Sequence, residues 1–318
     1  MTHSARILSC FGYLPPQVVS NADLCKTVDT SEEWIVSRTG ILKRHLASDS
    51  EFTSDLALKA AKGALQNIEL ESLDMIIVAT TTPDNTFPST AVRVQNKLGI
   101  SRKIPAFDIQ AVCSGFIYGL EVANSFILSK KYRTILLIGA DKMSSIVDWS
   151  DRTTCVLFGD GSGAVVLQAS EDFSGVVDTL ICADGSFYNS LCTNGGPSSN
   201  GLTGKLCMEG QTVFRNAVSH ISDVIRDLLN KNGIKKSEIK CFIPHQANER
   251  ITQAIKKEVG LEDDQIISTV HLHANCSAGS IPLALDYALK NNKIQKGDLV
   301  LIAAFGGGFT WGASLIRW

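Results

Sequence analysis

Charge is scarce in this chain. Acidic and basic residues make up 19% of its 318 residues, against about 25% in ordinary soluble domains. So little charge on a long chain points to surface that is covered, for example by a second copy of the same chain. The two signs nearly cancel, leaving a formal net charge of −2. Without a basic excess, nucleic acid is not an expected partner. No apolar run approaches the ~18 residues of a membrane span. The first eight residues lack the apolar core and small-residue cleavage site of a signal peptide, so no membrane partner is expected. The nine cysteines include no C-x-x-C pair. That argues against a zinc site and a disulfide framework and fits a reducing cytoplasm. His271 and His273 could share a face of a strand, but they have no third ligand nearby, so no metal and no cofactor is expected.

The length, in turn, exceeds what a single hydrophobic core usually supports, and two packed units are expected. The most informative stretch is Asp108-Ile109-Gln110-Ala111-Val112-Cys113-Ser114-Gly115. Residues 104–109 read as a short buried strand, and 116–128 are apolar on nearly every side, as in a buried helix. Cys113 stands where that helix begins. Free N–H groups and the positive end of the helix dipole favour an anion there, so a thiol should ionise more easily. The competing reading is an inert buried cysteine, a common fate for a free thiol.

Further elements follow in order. A strand is expected over 6–12 and a short helix over 21–28, with Ser31 as the N-cap of the next helix. Trp34 and Arg38 are four apart and share a helix face. An aromatic plane beside a guanidinium can hold a flat heterocycle and a phosphate; a surface ion pair with a half-buried Trp is the alternative. Helices are expected over 53–67 and 89–98, and buried strands over 74–80 and 134–140. Strands alternating with helices imply an α/β sheet with helical layers. Phe158-Gly159-Asp160-Gly161-Ser162-Gly163 superficially resembles a dinucleotide loop. A strand-like run follows it instead of a helix, so it reads as a tight turn between strands.

The second half repeats the first. Residues 239–244 form a strand ending at His245, 281–289 an apolar helix preceded by Asn275-Cys276-Ser277, and 299–304 another buried strand. An offset of 164 lays Cys113 on Ser277 and Ile135 on Leu299. Two halves are expected, 1–172 with the cysteine and 173–318 with the histidine and asparagine. Matching loops would then face one cleft and gather Cys113, His245 and Asn275. The cysteine would take an acyl group from a thioester. The other two would donate hydrogen bonds to the enolate oxygen left when a malonyl thioester loses carbon dioxide. One N–H of the Gly306-Gly307-Gly308 run, with that of Cys113, would stabilise the tetrahedral oxyanion. A satisfied core histidine and a helix-capping asparagine are the bland readings of the last two.

Over essentially its whole length the chain resembles the β-ketoacyl-acyl-carrier-protein synthase III family of the thiolase superfamily. The resemblance rests on residues 33–41, the Cys113 turn, Asp151-Arg152 with 158–163, Met208-Glu209-Gly210, Pro244-His245-Gln246-Ala247-Asn248, Asn275 with Ser277-Ala278, and 305–312. It implies a duplicated thiolase-like fold layered αβαβα, a Cys113–His245–Asn275 triad and a homodimer. The implied reaction condenses an acyl-CoA primer with malonyl-acyl-carrier protein to begin fatty-acid synthesis. By the same resemblance Gly307 joins Cys113 in the oxyanion site, and Thr30, Trp34, Arg38 and Arg152 hold CoA. Phe305 packs on the histidine, and Phe87 reaches across the dimer. Arg215, Gln246, Arg250, Lys256 and Lys257 meet the carrier protein. The basic residues of 250–257 follow His245 closely on an expected helix; an ordinary solvated face is the alternative.

The chain departs from the family where Gly-Asn-Thr-Ser is usual and Ala274-Asn275-Cys276-Ser277 stands, and where Gly279 replaces a common Ala. Three other readings stay open. A type III polyketide synthase uses the same three residue types, but with a Gly-Phe-Gly-Pro-Gly loop where this chain has Ala304-Phe305-Gly306-Gly307-Gly308. A cysteine thioester hydrolase would want glycine at Ala111 and a carboxylate-oriented histidine. A non-catalytic binding protein of the same fold is the third.

Overall fold

Two sheets are built from the apolar runs of the chain. The computed structural model describes residues 4–172 and 174–318. The first sheet has five strands in the order Ser4–Tyr13, Gly161–Ser170, Thr134–Asp141, Met75–Ala79 and Ala106–Ile109. The second has four, in the order Ile239–Pro244, Leu299–Gly306, Thr310–Arg317 and Gly175–Ala183. Met75–Ala79 runs parallel to both neighbours, as Ile239–Pro244 does to Leu299–Gly306. Met75–Ala79 and Leu299–Gly306 are buried along their whole length, which is why they read as unbroken apolar runs.

Alternation along each strand sorts the layers. Met75 and Ile77 face a central core with Phe116, Leu120 and Ile127 of helix Gly115–Leu128 and with Ile281 and Leu285 of helix Ser280–Lys290. That core continues into Ile243, Val300 and Ile302 of the second sheet. Ile76 and Val78 face the opposite way, against Ala57, Ala60, Ala61 and Ala64 of helix Thr53–Ala64. On the far side, helices Gly210–Asn232 and Glu249–Val259 cover Phe242, Leu299 and Leu301. The result is the expected αβαβα sandwich.

The internal repeat is real, but its register differs by one residue. An offset of 165, not 164, carries Val112–Ser114 onto Ser277–Gly279, Gly115–Leu128 onto the helix beginning at Ser280, and Thr134–Asp141 onto Leu299–Gly306. Val112 and Ser277 occupy the same left-handed conformation, with φ of 47° and 49°. Backbone geometry therefore pairs Cys113 with Ala278, whereas matching of residue types had paired it with Ser277.

Three local readings are also corrected. The helix expected over 21–28 is regular only to Leu24, beyond which the Leu24 carbonyl accepts from the Thr27 and Val28 N–H groups and from Thr27 Oγ1 in a turn. His271 and His273 lie on the short helix Val270–His273, not on a strand. The side chain of Gln246 caps that helix, accepting from the Thr269 and Val270 N–H groups at 2.6 and 3.1 Å. Finally, 158–163 is not a tight turn between strands. Phe158 forms an isolated bridge with Asn275, and the strand begins only at Gly161.

Candidate active site

Cys113 lies in a single 3-10 turn, Val112–Ser114, at the head of the buried helix Gly115–Leu128. Val112 before it is forced to a positive φ. This is a strained conformation for a β-branched residue, costing about 1–3 kcal/mol. The turn opens the Cys113 thiol into a cavity of about 830 Å³ that His245, Asn275 and Phe305 also line. The turn Ser277–Gly279 packs against the cysteine turn. Three residues far apart in sequence thus meet at matching edges of the two half-folds.

His245 follows the last residue of its strand, and its N–H donates to the Ala303 carbonyl at 2.7 Å. Its Nδ1 is 2.6 Å from Ser280 Oγ, the first residue of helix Ser280–Lys290. That same hydroxyl accepts the Gln246 N–H at 3.2 Å. Among the described residues its proton has no other acceptor, so Ser280 donates to Nδ1 and the imidazole proton sits on Nε2. Nε2 is buried without a partner. Burial, with a smaller contribution from His273, lowers the His245 pKa to about 3. The ring is therefore a neutral donor at physiological pH.

Asn275 is fixed at both ends. Its N–H donates to the Leu157 carbonyl at 2.9 Å, and its own carbonyl accepts from Gly159 at 3.0 Å. Its Oδ1 accepts the Ser277 N–H at 2.8 Å. The amide orientation is thereby set, and its NH₂ is left as the donor end. Two neutral donors beside a sulfur suit an oxygen that gains negative charge.

The thiol differs from expectation. Burial pushes Cys113 up to about 12, and the nearby Asp141 charge adds to the rise, against partial relief from Ser277 and Asn275. Cys113 is only 5% exposed, and burial disfavours its charged form. Cys276 is also buried and pushed up, and its Sγ rests 3.7 Å from His273 Nδ1, so it fills space in place of a threonine. His273 is lowered to about 4 by burial.

Gly306 explains part of the glycine run. A side chain there would come within 2.9 Å of the Cys113 nitrogen. Among the described residues no backbone carbonyl accepts the Cys113 N–H, so only glycine keeps that donor open. The position of a side chain on Gly307 would fall 2.7 Å from the Leu191 carbonyl and 3.6 Å from Val112 Cγ2. The Phe305 ring packs on Phe309, with centroids 4.6 Å apart, and faces Trp311 and His220. It shares the cavity with His245, but it is Ser280 that holds the imidazole.

Trp34 and Arg38 line the same cavity from helix Glu32–Thr39, whose N-cap is Ser31 as expected. Arg152 lies over the Trp34 ring at 5.0 Å and donates to the Asp29 carbonyl at 2.9 Å. Thr30 Oγ1 is buried and unpartnered. Arg215 and Arg250 line the mouth as well, with Arg250 over the Phe214 ring at 5.7 Å. Phe87 is 82% exposed. One member of the expected docking set is corrected. Gln246 is 1% exposed and spends its amide on Pro244, Thr269 and Val270, so it cannot meet a protein partner. Lys256 is turned to Asp263 in an ion pair, whereas Lys257 is exposed.

Sequence reasoning missed Ser280, Ser277 as a side chain, and Asp141. The available signal was an acid closing an apolar strand, Ile135 to Asp141, where burial of a charge demands partners.

A duplicated five-layer fold with cysteine, histidine and asparagine converging on one cavity defines a condensing acyltransferase of the thiolase type. Residues 107–185 match the family described as 3-oxoacyl-(acyl-carrier-protein) synthase III, and residues 229–318 match its C-terminal part. The β-ketoacyl-(acyl-carrier-protein) synthase III of Rickettsia bellii is 53% identical, over 99% of this chain and all of that protein. The crystal structure of 3-oxoacyl-(acyl-carrier-protein) synthase III from Aquifex aeolicus superposes with a TM-score of 0.95 at 46% identity, over 99% of this chain and 100% of that one. The Thermus thermophilus enzyme gives 0.93 at 39%, over 98% and 99%. The chain belongs to the β-ketoacyl-acyl-carrier-protein synthase III family.

Proposed function

We propose that this chain starts fatty-acid synthesis by joining an acyl-CoA primer, with acetyl-CoA as the first choice, to malonyl-acyl-carrier protein. The primer's acyl carbon is attacked by Cys113 Sγ, and the CoA thiolate leaves. The N–H groups of Cys113 and Gly307 hold the tetrahedral oxyanion. The malonyl thioester then loses carbon dioxide, and its enolate oxygen is held by His245 Nε2–H and the Asn275 amide. The enolate carbon attacks the acyl-cysteine, giving a 3-oxoacyl-carrier protein and freeing Cys113. The single observation behind this reading is the buried, unpartnered Nε2 of a neutral His245 in the cavity shared with Cys113 and Asn275. Each such donor contributes about 3–4 kcal/mol.

The CoA path runs past Trp34, Arg38 and Arg152, with Thr30 beside them. The carrier protein meets Arg215, Arg250 and Lys257. The working unit is a homodimer in which Phe87 serves the partner's pocket; its 82% exposure in one chain supports this. The halves divide at 172/173, a reading supported by the flanking strands, Gly161–Ser170 in the five-stranded sheet and Gly175–Ala183 in the four-stranded one. A reducing cytoplasm suits the free cysteines, and among the described residues no helix is long and apolar enough to cross a membrane.

His245→Ala and Asn275→Ala separate the two half-reactions. Both variants should acylate Cys113 from acetyl-CoA, yet lose condensation by 10²-fold or more for each missing donor. A variant that condenses at the wild-type rate once acylated refutes the role given to that residue.

A further inference from the structure

Two of the nine cysteines face each other. The strands Leu191–Thr193 and Leu206–Met208 form a short antiparallel ribbon, and its register sets Cys192 directly against Cys207. Directly opposed residues point to the same side of a ribbon, so the two thiols share one face. Among the described residues no other cysteine has a cysteine as its strand partner: Cys10 faces Val165, Cys182 faces Trp311 and Cys241 faces Val300. Both thiols are free and partly exposed. Each makes a long, local contact, Cys192 Sγ with the Asn189 carbonyl at 3.7 Å and Cys207 Sγ with the Lys205 carbonyl at 3.6 Å. Burial, and after it the Cys207 thiol opposite, push the Cys192 pKa up, as two thiols on one face would.

Flanking hydrogen bonds fix the kind of pair. The Asn194 N–H donates to the Lys205 carbonyl at 3.0 Å, and the Glu209 N–H to the Ser190 carbonyl at 2.9 Å. Such pairs recur at every second residue, so Cys192 and Cys207 form a hydrogen-bonded pair with Cα atoms about 5.5 Å apart. That separation lies inside the roughly 4.4–6.8 Å range of disulfides. The Cβ atoms of such a pair stand about 5.5 Å apart, whereas a disulfide needs about 3.8 Å. A bond here is within reach but pulls the strands together. Strained and partly exposed, it would be readily reduced again.

The other face of the ribbon belongs to the active site. Leu191, Leu206 and Met208 line the cavity with Cys113, and the Leu191 carbonyl is the atom that a side chain on Gly307 would approach to 2.7 Å. The ribbon is anchored by Ser190 Oγ on Glu209 Oε2 at 3.0 Å and by the Leu206 N–H on the Ile146 carbonyl at 2.9 Å. A change of strand spacing at 192/207 therefore moves the cavity wall.

We propose that Cys192 and Cys207 are a redox modification site, which a small-molecule disulfide of the glutathione type converts to a cross-strand disulfide that deforms the cavity wall and slows the enzyme. The thiolate of one cysteine attacks the small disulfide, breaking its S–S bond and releasing one thiol. The second cysteine then attacks the mixed disulfide and releases the other thiol. Two cysteine thiols are oxidised to one disulfide, and one small disulfide is reduced to two thiols, which take up the two protons. The inhibition rests on the condensing reaction proposed above; the bond itself does not.

Purified enzyme held in buffers of fixed reduced-to-oxidised glutathione ratio, trapped with N-ethylmaleimide and mapped by peptide mass, tests the bond directly. The expected product is a single bond between Cys192 and Cys207, formed within the glutathione range and opened by dithiothreitol. Condensation of acetyl-CoA with malonyl-carrier protein should fall on the order of ten-fold in step with the bond, since a misplacement of about 1 Å can cost as much as 10²-fold. It should return on reduction. Cys192→Ser and Cys207→Ser should keep the reduced activity within about two-fold, as substitutions outside a packed core usually do. Both should lose the bond and the inhibition. Glutathione held singly on these cysteines with no bond between them, or a bond to any other cysteine, overturns the site. A bond between Cys192 and Cys207 with unchanged activity overturns its control of the cavity. Inhibition that persists in both serine variants assigns the sensitive thiol elsewhere and overturns it as well. Reduced enzyme that forms no 3-oxoacyl product would instead refute the condensing function, while the peptide map still decides the pair.

Discussion

Ala274 carries the cost of a family departure. The chain holds it at φ 61° and ψ −162°, a region that essentially only glycine occupies comfortably, and glycine is the residue the resemblance leads one to expect there. Its neighbours explain why the backbone does not relax. Asn275 is tied at N–H and carbonyl to Leu157 and Gly159, and the Ala274 N–H donates to Val270 at 2.9 Å. Ala274→Gly should therefore stabilise the protein. Strain of about 1–3 kcal/mol is released, less about 0.5–1 kcal/mol for glycine's greater freedom when unfolded. A net gain of about 1 kcal/mol should appear as a raised thermal midpoint with activity kept; a lowered midpoint contradicts the strain. The other departure, Gly279, fits its surroundings, since a side chain there would come within 2.9 Å of the Gly161 carbonyl. Cys113, His245 and Asn275 were legible as residue types in a repeated pattern. Ser277, Ser280 and Asp141 were not, because a serine or an acid gains meaning only from the atoms folding brings beside it.

Elements were the most legible level. Strand 239–244 could be read from its mostly apolar run, and the helix expected from 116 begins one residue earlier, at Gly115. The repeat offset was misread by one residue because the match followed side-chain size, while the fold repeats backbone conformation, Val112 with Ser277. The helix Glu249–Val259 carries its own prediction. Arg250 lines the cavity mouth and Lys257 is exposed a further two turns along, whereas Lys256 is occupied by Asp263. Reversing Arg250 and Lys257 to Glu should raise KM for malonyl-carrier protein on the order of ten-fold and blunt its salt dependence. Acylation by acetyl-CoA should be nearly untouched. Equal loss of both would indicate misfolding or a shared approach, and unchanged carrier-protein kinetics would remove the docking face.

At the scale of the molecule, duplication is what makes the site. Each half supplies a sheet, a central helix and a strained turn, and neither half alone holds nucleophile and donors together. Low charge and an exposed Phe87 agree with a surface meant for a second copy. The central claim is that Cys113 carries the acyl group between two thioester substrates. The direct measurement is the mass of the intact protein after incubation with acetyl-CoA, with the modified peptide mapped, followed by addition of malonyl-carrier protein. The account predicts one acetyl group, on Cys113, that disappears as carbon dioxide and a 3-oxobutanoyl-carrier protein form. An acetyl group on another cysteine, or its release as free acetate without a new carbon–carbon bond, would contradict it.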